Sequence, residues 1–173
     1  MLHSMDIRPA LPSEAAVLAA LGARLFRSTY ADQVPMQDIE SYVAGAFTPE
    51  AQGREIAADD GAVLLGELDG EPRAYALLRT SAPPLANADP DSLEIARFYL
   101  DPPLHGTGRA GTLMDACLDW ARARGKHNAW LQVWELNKRA IAFYQKQGFT
   151  DMGQTTFQVG NILYRDRVMT RAF

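Results

Sequence analysis

Cysteine is nearly absent from this chain: Cys117 is the only one in 173 residues. A lone thiol excludes an internal disulfide and a cysteine-built metal site, so we expect no metal, and it suits a reducing compartment such as the cytosol. A surplus of positive charge is missing too. With 17 Lys and Arg against 21 Asp and Glu, the net charge is -4, and no basic field exists to attract DNA or RNA. No apolar run approaches the ~20 residues that cross a bilayer, and the first residues lack the apolar segment of a signal peptide. Repeats, low-complexity tracts and linker-like stretches are absent as well, so one domain over residues 1–173 is expected. The hydrophobic share, 47%, is enough for a real core.

What is present is an alternation of strand-like and helix-like segments. Met5-Asp6-Ile7-Arg8 reads as a first strand, with Met5 as a second candidate start beside Met1. Ser13 is expected to cap a helix reaching Ser28, with Val17, Leu18, Leu21, Leu25 and Phe26 on one face. Residues 36–46 repeat the helical pattern, and Thr48-Pro49 starts another helix, with Thr48 as N-cap. Residues 62–68 and 73–81 are strands around the hairpin signal Asp69-Gly70. Strand 93–100, helix 108–124, strand 127–134, helix 137–147 and a hairpin turning near Gly160 complete the chain. Gly125 and Gly148 stop the two helices. The order β-α-α-ββ-β-α-β-α-β-β describes an α/β fold (a mixed α+β sheet) of about seven strands with helices on both faces.

The stretch His105-Gly106-Thr107-Gly108-Arg109-Ala110-Gly111 carries the chemistry. It lies between a strand and a helix, where backbone N–H groups and the helix N-terminus bind phosphate. Gly106, Gly108 and Gly111 fit the dinucleotide fingerprint G-x-G-x-x-G, and Glu135 stands where a ribose-binding acid would follow. That fold places its first glycine directly after the strand, in the first strand-helix unit. Here Asp101-Pro102-Pro103-Leu104-His105 intervenes, past the chain midpoint. The spacing Gly106-x-x-x-x-Gly111 also approaches a P-loop, but Thr112 replaces the lysine that neutralises the phosphates.

From Leu93 onward the sequence resembles the GNAT N-acetyltransferase superfamily. The likeness lies in Leu93 to Leu100, the glycine loop, Leu131-Gln132-Val133-Trp134, and Asn137 to Phe149 with its Tyr144-x-x-x-Gly148-Phe149. The family loop is Gln/Arg-x-x-Gly-x-Gly/Ala; Gly108 and Ala110 match it, and His105 replaces the first residue. Trp134-Glu135-x-Asn137, Ala140 to Tyr144 and Phe26-x-x-Thr29-Tyr30 resemble bacterial spermine/spermidine acetyltransferases (PaiA-like). The resemblance implies the acyl-CoA N-acyltransferase fold and transfer of an acetyl group from acetyl-CoA to a primary amine, in a ternary complex, with polyamines the favoured acceptors. An acyl-CoA-binding module without catalysis, and a protein N-terminal or lysine acetyltransferase, are the alternatives. The implied partner is a small-molecule amine, and the last strands also offer an edge for a homodimer.

The resemblance also implies site residues. Phe98, Tyr99 and Leu100 would pair their backbone with the pantetheine arm, and the Leu100 N–H would polarise the thioester carbonyl. His105, Gly106, Thr107, Gly108, Arg109, Ala110 and Gly111 would hold the pyrophosphate, and Asn137 the coenzyme arm. Tyr144 matches the acid that protonates the departing thiolate. The amine must lose its proton: with a pKa of about 10.4, roughly one in a few thousand is neutral at pH 7, a cost of about 4–5 kcal/mol. Glu94 is the candidate base through water, with Glu135 and Tyr30 behind it. Asp32, Asp38, Glu40 and Glu135 are available carboxylates for a cationic acceptor, whose pocket is expected between the N-terminal helices and residues 153–160. Trp120, Trp130 and Trp134 read as core or sheet-face aromatics, and Cys117 as a buried apolar residue.

Overall fold

Alternating side chains along the central strands set the layers. In Glu71–Thr80 (β3), Ala74, Ala76 and Leu78 enter one apolar cluster while Tyr75 and Leu77 enter another on the opposite face. Both faces of β3 are therefore buried, and helices cover each. Arg109–Arg122 (α4) and Lys138–Lys146 (α5) pack on the first face through Leu113, Met114, Cys117, Leu118 and Tyr144. Ala15–Tyr30 (α1) and Met36–Ala46 (α2) pack on the second through Leu18, Leu25, Phe26, Ile39 and Val43. Pro49–Ile56 (α3) lies beside α1. The computed structural model describes residues 4–173; Met1 lies outside them, and Met5 is buried in the first cluster.

The remaining strands are Asp6–Pro9 (β1), Ala62–Leu68 (β2), Leu93–Leu100 (β4), Asn128–Trp134 (β5), Thr150–Val159 (β6) and Ile162–Ala172 (β7). They form a seven-stranded sheet in the order β1-β2-β3-β4-β5-β7-β6, mixed as expected. Among the described residues only the β4–β5 pair is parallel, and it is short: Leu93 pairs with Ala129 and Glu94 with Trp130, and no further residues pair. β4 is bulged where it begins to leave β5. Leu77 of β3 faces Arg97 and Leu78 faces Ile95, so Ala96 is the extra residue. The two strands then splay apart, and that wedge positions the site.

Local signals largely hold. Asp69 and Gly70 both have positive φ, as a tight two-residue hairpin requires. The Thr48 hydroxyl accepts from the Ala51 N–H at 3.1 Å. The first helix departs from expectation. Ser13 is not its cap; it sits inside a 3-10 turn, Pro12–Glu14, that precedes α1. There the Glu14 carboxylate accepts from the Leu11 N–H at 2.7 Å and is clamped by Arg8, which holds its pKa down at about 2. A carboxylate paired with arginine and amide outcompetes a serine hydroxyl for the turn. α1 then continues two residues beyond Ser28, to Tyr30. Gly22 lets it lie close to the sheet: a Cβ there would sit 2.5 Å from a Phe47 ring carbon.

Candidate active site

The wedge between β4 and β5 opens into a cavity of about 200 Å³. One wall is the bulged half of β4, residues 95–100; the other is Gln132, Val133 and Trp134 of β5. Tyr30 closes one end, and Asn137, Phe143 and Tyr144 of the α5 segment form the roof. The glycine loop contributes His105, Gly106 and, at the start of α4, Ala110.

Backbone donors face this space. The Asp101 N–H donates to Arg73 of β3 at 2.8 Å. Amides alternate sides along a strand, so those of Leu100 and Phe98 point the other way, into the wedge that β5 has vacated. The Leu100 carbonyl confirms the direction, since it accepts from His105 Nε2 at 3.2 Å. That bond places a proton on Nε2. Burial, and the charge of Arg139, lower the imidazole pKa. Asp101 anchors the end of β4. It is buried, and bonds from Arg24 and Arg73 outweigh burial and hold its pKa down.

Gly106 and Gly108 have φ of +75° and +85°, a left-handed conformation that glycine adopts without steric cost. The amides of Gly106, Gly108, Ala110 and Gly111 have no acceptor among the described residues. A Cβ at Gly106 or Gly108 would meet nothing within 4 Å, so the loop opens onto free space. Unpaired amides at the start of a 14-residue helix make an anion cradle. Asn137 caps α5 with its Oδ1, which accepts from the Ala140 N–H at 3.2 Å, and its Nδ2 has no partner among the described residues. Tyr144 is 7% exposed, edge-on to Phe98 and Phe149 at 6.1 and 6.0 Å between ring centroids. Its hydroxyl has no hydrogen-bond partner among the described residues, and burial pushes its pKa up. It is protonated at neutral pH.

Free amides in an anion cradle, a strand edge without a partner and a spare amide donor fit the pyrophosphate and the amide-rich arm of coenzyme A. The fingerprint alternative loses its topology, because β4 is antiparallel to β3 and meets β5 only briefly, whereas a dinucleotide fold requires a parallel sheet. The model of the acetyltransferase (GNAT) family matches residues 26–149, most of the chain. The chain belongs to that family. This GNAT protein is 33% identical over 159 residues to an uncharacterized N-acetyltransferase of Mycobacterium tuberculosis, covering 92% of its own length and 97% of the relative's. Among solved structures it resembles the PaiA N-acetyltransferase of Thermoplasma acidophilum in complex with coenzyme A, with a TM-score of 0.78, 21% identity and coverage of 98% and 99% of the two chains. It also resembles YncA of Salmonella typhimurium, a putative acetyltransferase with its cofactor acetyl-CoA, at a TM-score of 0.66, 22% identity and coverage of 98% and 94%. Family membership makes the chain an acetyl-CoA-dependent N-acetyltransferase.

Of the residues expected in the site, Phe98, Tyr99, Leu100, His105, Gly106, Ala110, Asn137 and Tyr144 all line the cavity. Thr107, Gly108, Arg109 and Gly111 belong to the loop and the first turn of α4 but wall no part of it. Glu94 is placed elsewhere. It lies in the short stretch where β4 still pairs with β5, below the bulge, and its carboxylate accepts from Ser81 Oγ at 2.8 Å. The carboxylates suggested for a cationic acceptor also miss the cavity. Glu40 is paired with Arg27, Glu135 with Arg165 and Gln154, and neither Asp32 nor Asp38 lines it. Sequence reasoning missed Arg139, a cation on the cavity wall; Trp134 is a buried sheet aromatic as expected, and it also walls the cavity. Trp134 stands two residues past Gln132 on one strand face, a spacing that points to the same side. No group of three His, Cys, Asp or Glu is arranged for a metal among the described residues.

Proposed function

We propose that the chain transfers an acetyl group from acetyl-CoA to a primary amine of a small molecule, with polyamines the favoured class, by direct attack in a ternary complex in the cytoplasm. The splayed β4–β5 wedge, with its free Leu100 and Phe98 amides beside an unpaired glycine-loop cradle, carries this reading. Acetyl-CoA supplies a thioester already activated toward amines. The chain's own residues do the rest. The loop amides and Arg139 hold phosphate charge, and Asn137 Nδ2 and the β4 edge orient the arm. The Leu100 amide is fixed in direction by the Asp101 bond, so it can polarise a carbonyl without reorganising. A C–N bond forms, the C–S bond breaks, and the sulfur takes the proton that Tyr144 holds on its hydroxyl.

The amine's own proton is assigned to Glu94 through water, a path that must pass the bulge at Ala96. A Glu94→Gln variant tests this: kcat/KM should fall most at the lowest pH, where the amine is most protonated, and an unchanged pH profile removes Glu94 from the mechanism. The reading as a whole is tested by acceptor-dependent release of coenzyme A across a panel of amines, with the acetylated product detected by mass. Release without any acceptor dependence overturns it.

A further inference from the structure

A second, small cavity adjoins the wedge and shares two of its residues, Tyr30 and Trp134. Phe157 and Tyr164 add two more rings, with Val34 and Val159 completing an apolar lining. The Trp134 and Tyr164 rings meet edge-on, with centroids 5.7 Å apart, and Tyr30 lies 6.1 Å from Trp134. Among the described residues, the single charged group in this lining is Asp166 of β7. Its residue is 6% exposed, and it has no hydrogen bond or ion pair among the described residues.

A buried carboxylate without a partner is costly, and natural proteins keep such a charge where a ligand neutralises it. No cation among the described residues does so here. Arg165, next in sequence, is turned to Glu135 at 3.3 Å, and Glu135 adds repulsion rather than relief. Aromatic rings around a carboxylate favour a cation twice over, through ring faces and through charge. The free space, about 10 Å³, matches a group the size of one water. That suits a primary ammonium better than the bulkier guanidinium or quaternary ammonium.

We infer that the pocket of Asp166, Tyr30, Trp134, Phe157 and Tyr164 binds a primary ammonium of the acceptor, distal to the amine that is acetylated. The inference rests on the amine-acetylation reading above. Tyr30 and Trp134 form the partition: the reacting amine lies on their wedge side and the second ammonium on their Asp166 side. The acceptor is then an α,ω-diamine or a longer chain ending in one.

The test compares α,ω-diaminoalkanes with n-alkylamines of matched length, from propane to hexane, in two assays: acetyl-CoA turnover, and calorimetric binding to the coenzyme A complex. At the preferred length the diamine should exceed its monoamine by at least about tenfold in kcat/KM and in affinity. Asp166→Asn should reduce that ratio toward one, and Tyr164→Leu should reduce it in part, with thermal melting showing that each variant is folded. Equal handling of diamine and monoamine by the native chain overturns the inference, even with good turnover. So does an Asp166→Asn variant that loses both by the same factor, which marks the carboxylate as a base or a structural group. Diamine binding that depends on Asp166, with no acetylation of any amine, sustains the pocket and overturns the acetylation reading instead.

Discussion

Replacing Asp166 with Asn should make the protein more stable, and only above a definite pH. Burial, with repulsion from Glu135 adding to it, pushes the Asp166 carboxyl up to about 6 from 3.8. The folded chain therefore holds a proton that the unfolded chain has released between about pH 4 and pH 6. Stability falls across that window as pH rises, and stays lower above it. Taken in full at 1.4 kcal/mol per pH unit, the shift is ~3 kcal/mol. The full shift is an upper bound, since the charge is not wholly cut off from solvent, so about 1–2 kcal/mol is the working figure. Asparagine keeps the shape and removes the charge, so Asp166→Asn should match the native chain at pH 4 and exceed it by about 1–2 kcal/mol at pH 7. For a chain of this length that is a rise in Tm of roughly 2–8 °C. Glu14 and Asp101, whose pKa values are held down, lose their contributions as pH falls in both proteins alike. The difference between the two melting curves across pH isolates Asp166. A variant that is less stable at pH 7, or a difference that does not change with pH, would refute the reasoning. Either result means that the carboxylate already has a partner.

Three further outcomes follow from named contacts. Tyr144→Phe should lower kcat by about 10–100-fold, the lower part of the range for a general acid because a thiolate leaves readily, while coenzyme A affinity changes little; an unchanged kcat would show that the sulfur is protonated by solvent. Gly108→Ala forces a side chain into φ of +85°, costing about 1–2 kcal/mol in Tm measurements and weakening calorimetric coenzyme A binding through the tilted amides. Gly22→Ala drives a methyl to 2.5 Å from Phe47, so a loss of about 1–3 kcal/mol is expected in denaturant unfolding, with coenzyme A affinity intact.

The residues we assign to coenzyme binding were legible as candidates because their signals are local. Loop, helix start, Asn137 and Tyr144 lie within 40 residues of one another in sequence, and each carries its own signal: positive-φ glycines, an N-cap, a tyrosine on the helix face toward Phe98. Glu94 was harder to place because its position turns on one residue. With no bulge, alternation along β4 would continue unbroken; the extra Ala96 shifts the register, and Glu94 stays with the paired stretch below the wedge. A bulge has no sequence marker here, since Ala96 is neither glycine nor proline. Ser13 misled for a related reason. It is a good local cap, but a partner 59 residues away, Glu67, joins Glu14 on Arg8 and fixes the turn differently.

The acceptor pocket we infer was legible only in part. Its setting between the N-terminal helices and residues 153–160 was expected, and Tyr30 at the end of α1 and Phe157 on β6 lie there, but Trp134 at the end of β5 and Asp166 on β7 come from distant places that no local signal joins to it. The order of the sheet does the joining. β7 inserts between β5 and β6, which sets Asp166 opposite Trp134 on one side and opposite Thr155 on the other. In sequence, Asp166 sits in Arg165-Asp166-Arg167 and reads as a carboxylate with arginines on both sides. Strand alternation sends both arginines to the opposite face, where they pair with Glu135 and Asp151. The neighbours that would have neutralised Asp166 are thus removed by the pleat itself, and the chain is left with a buried negative charge that an ammonium from outside can satisfy.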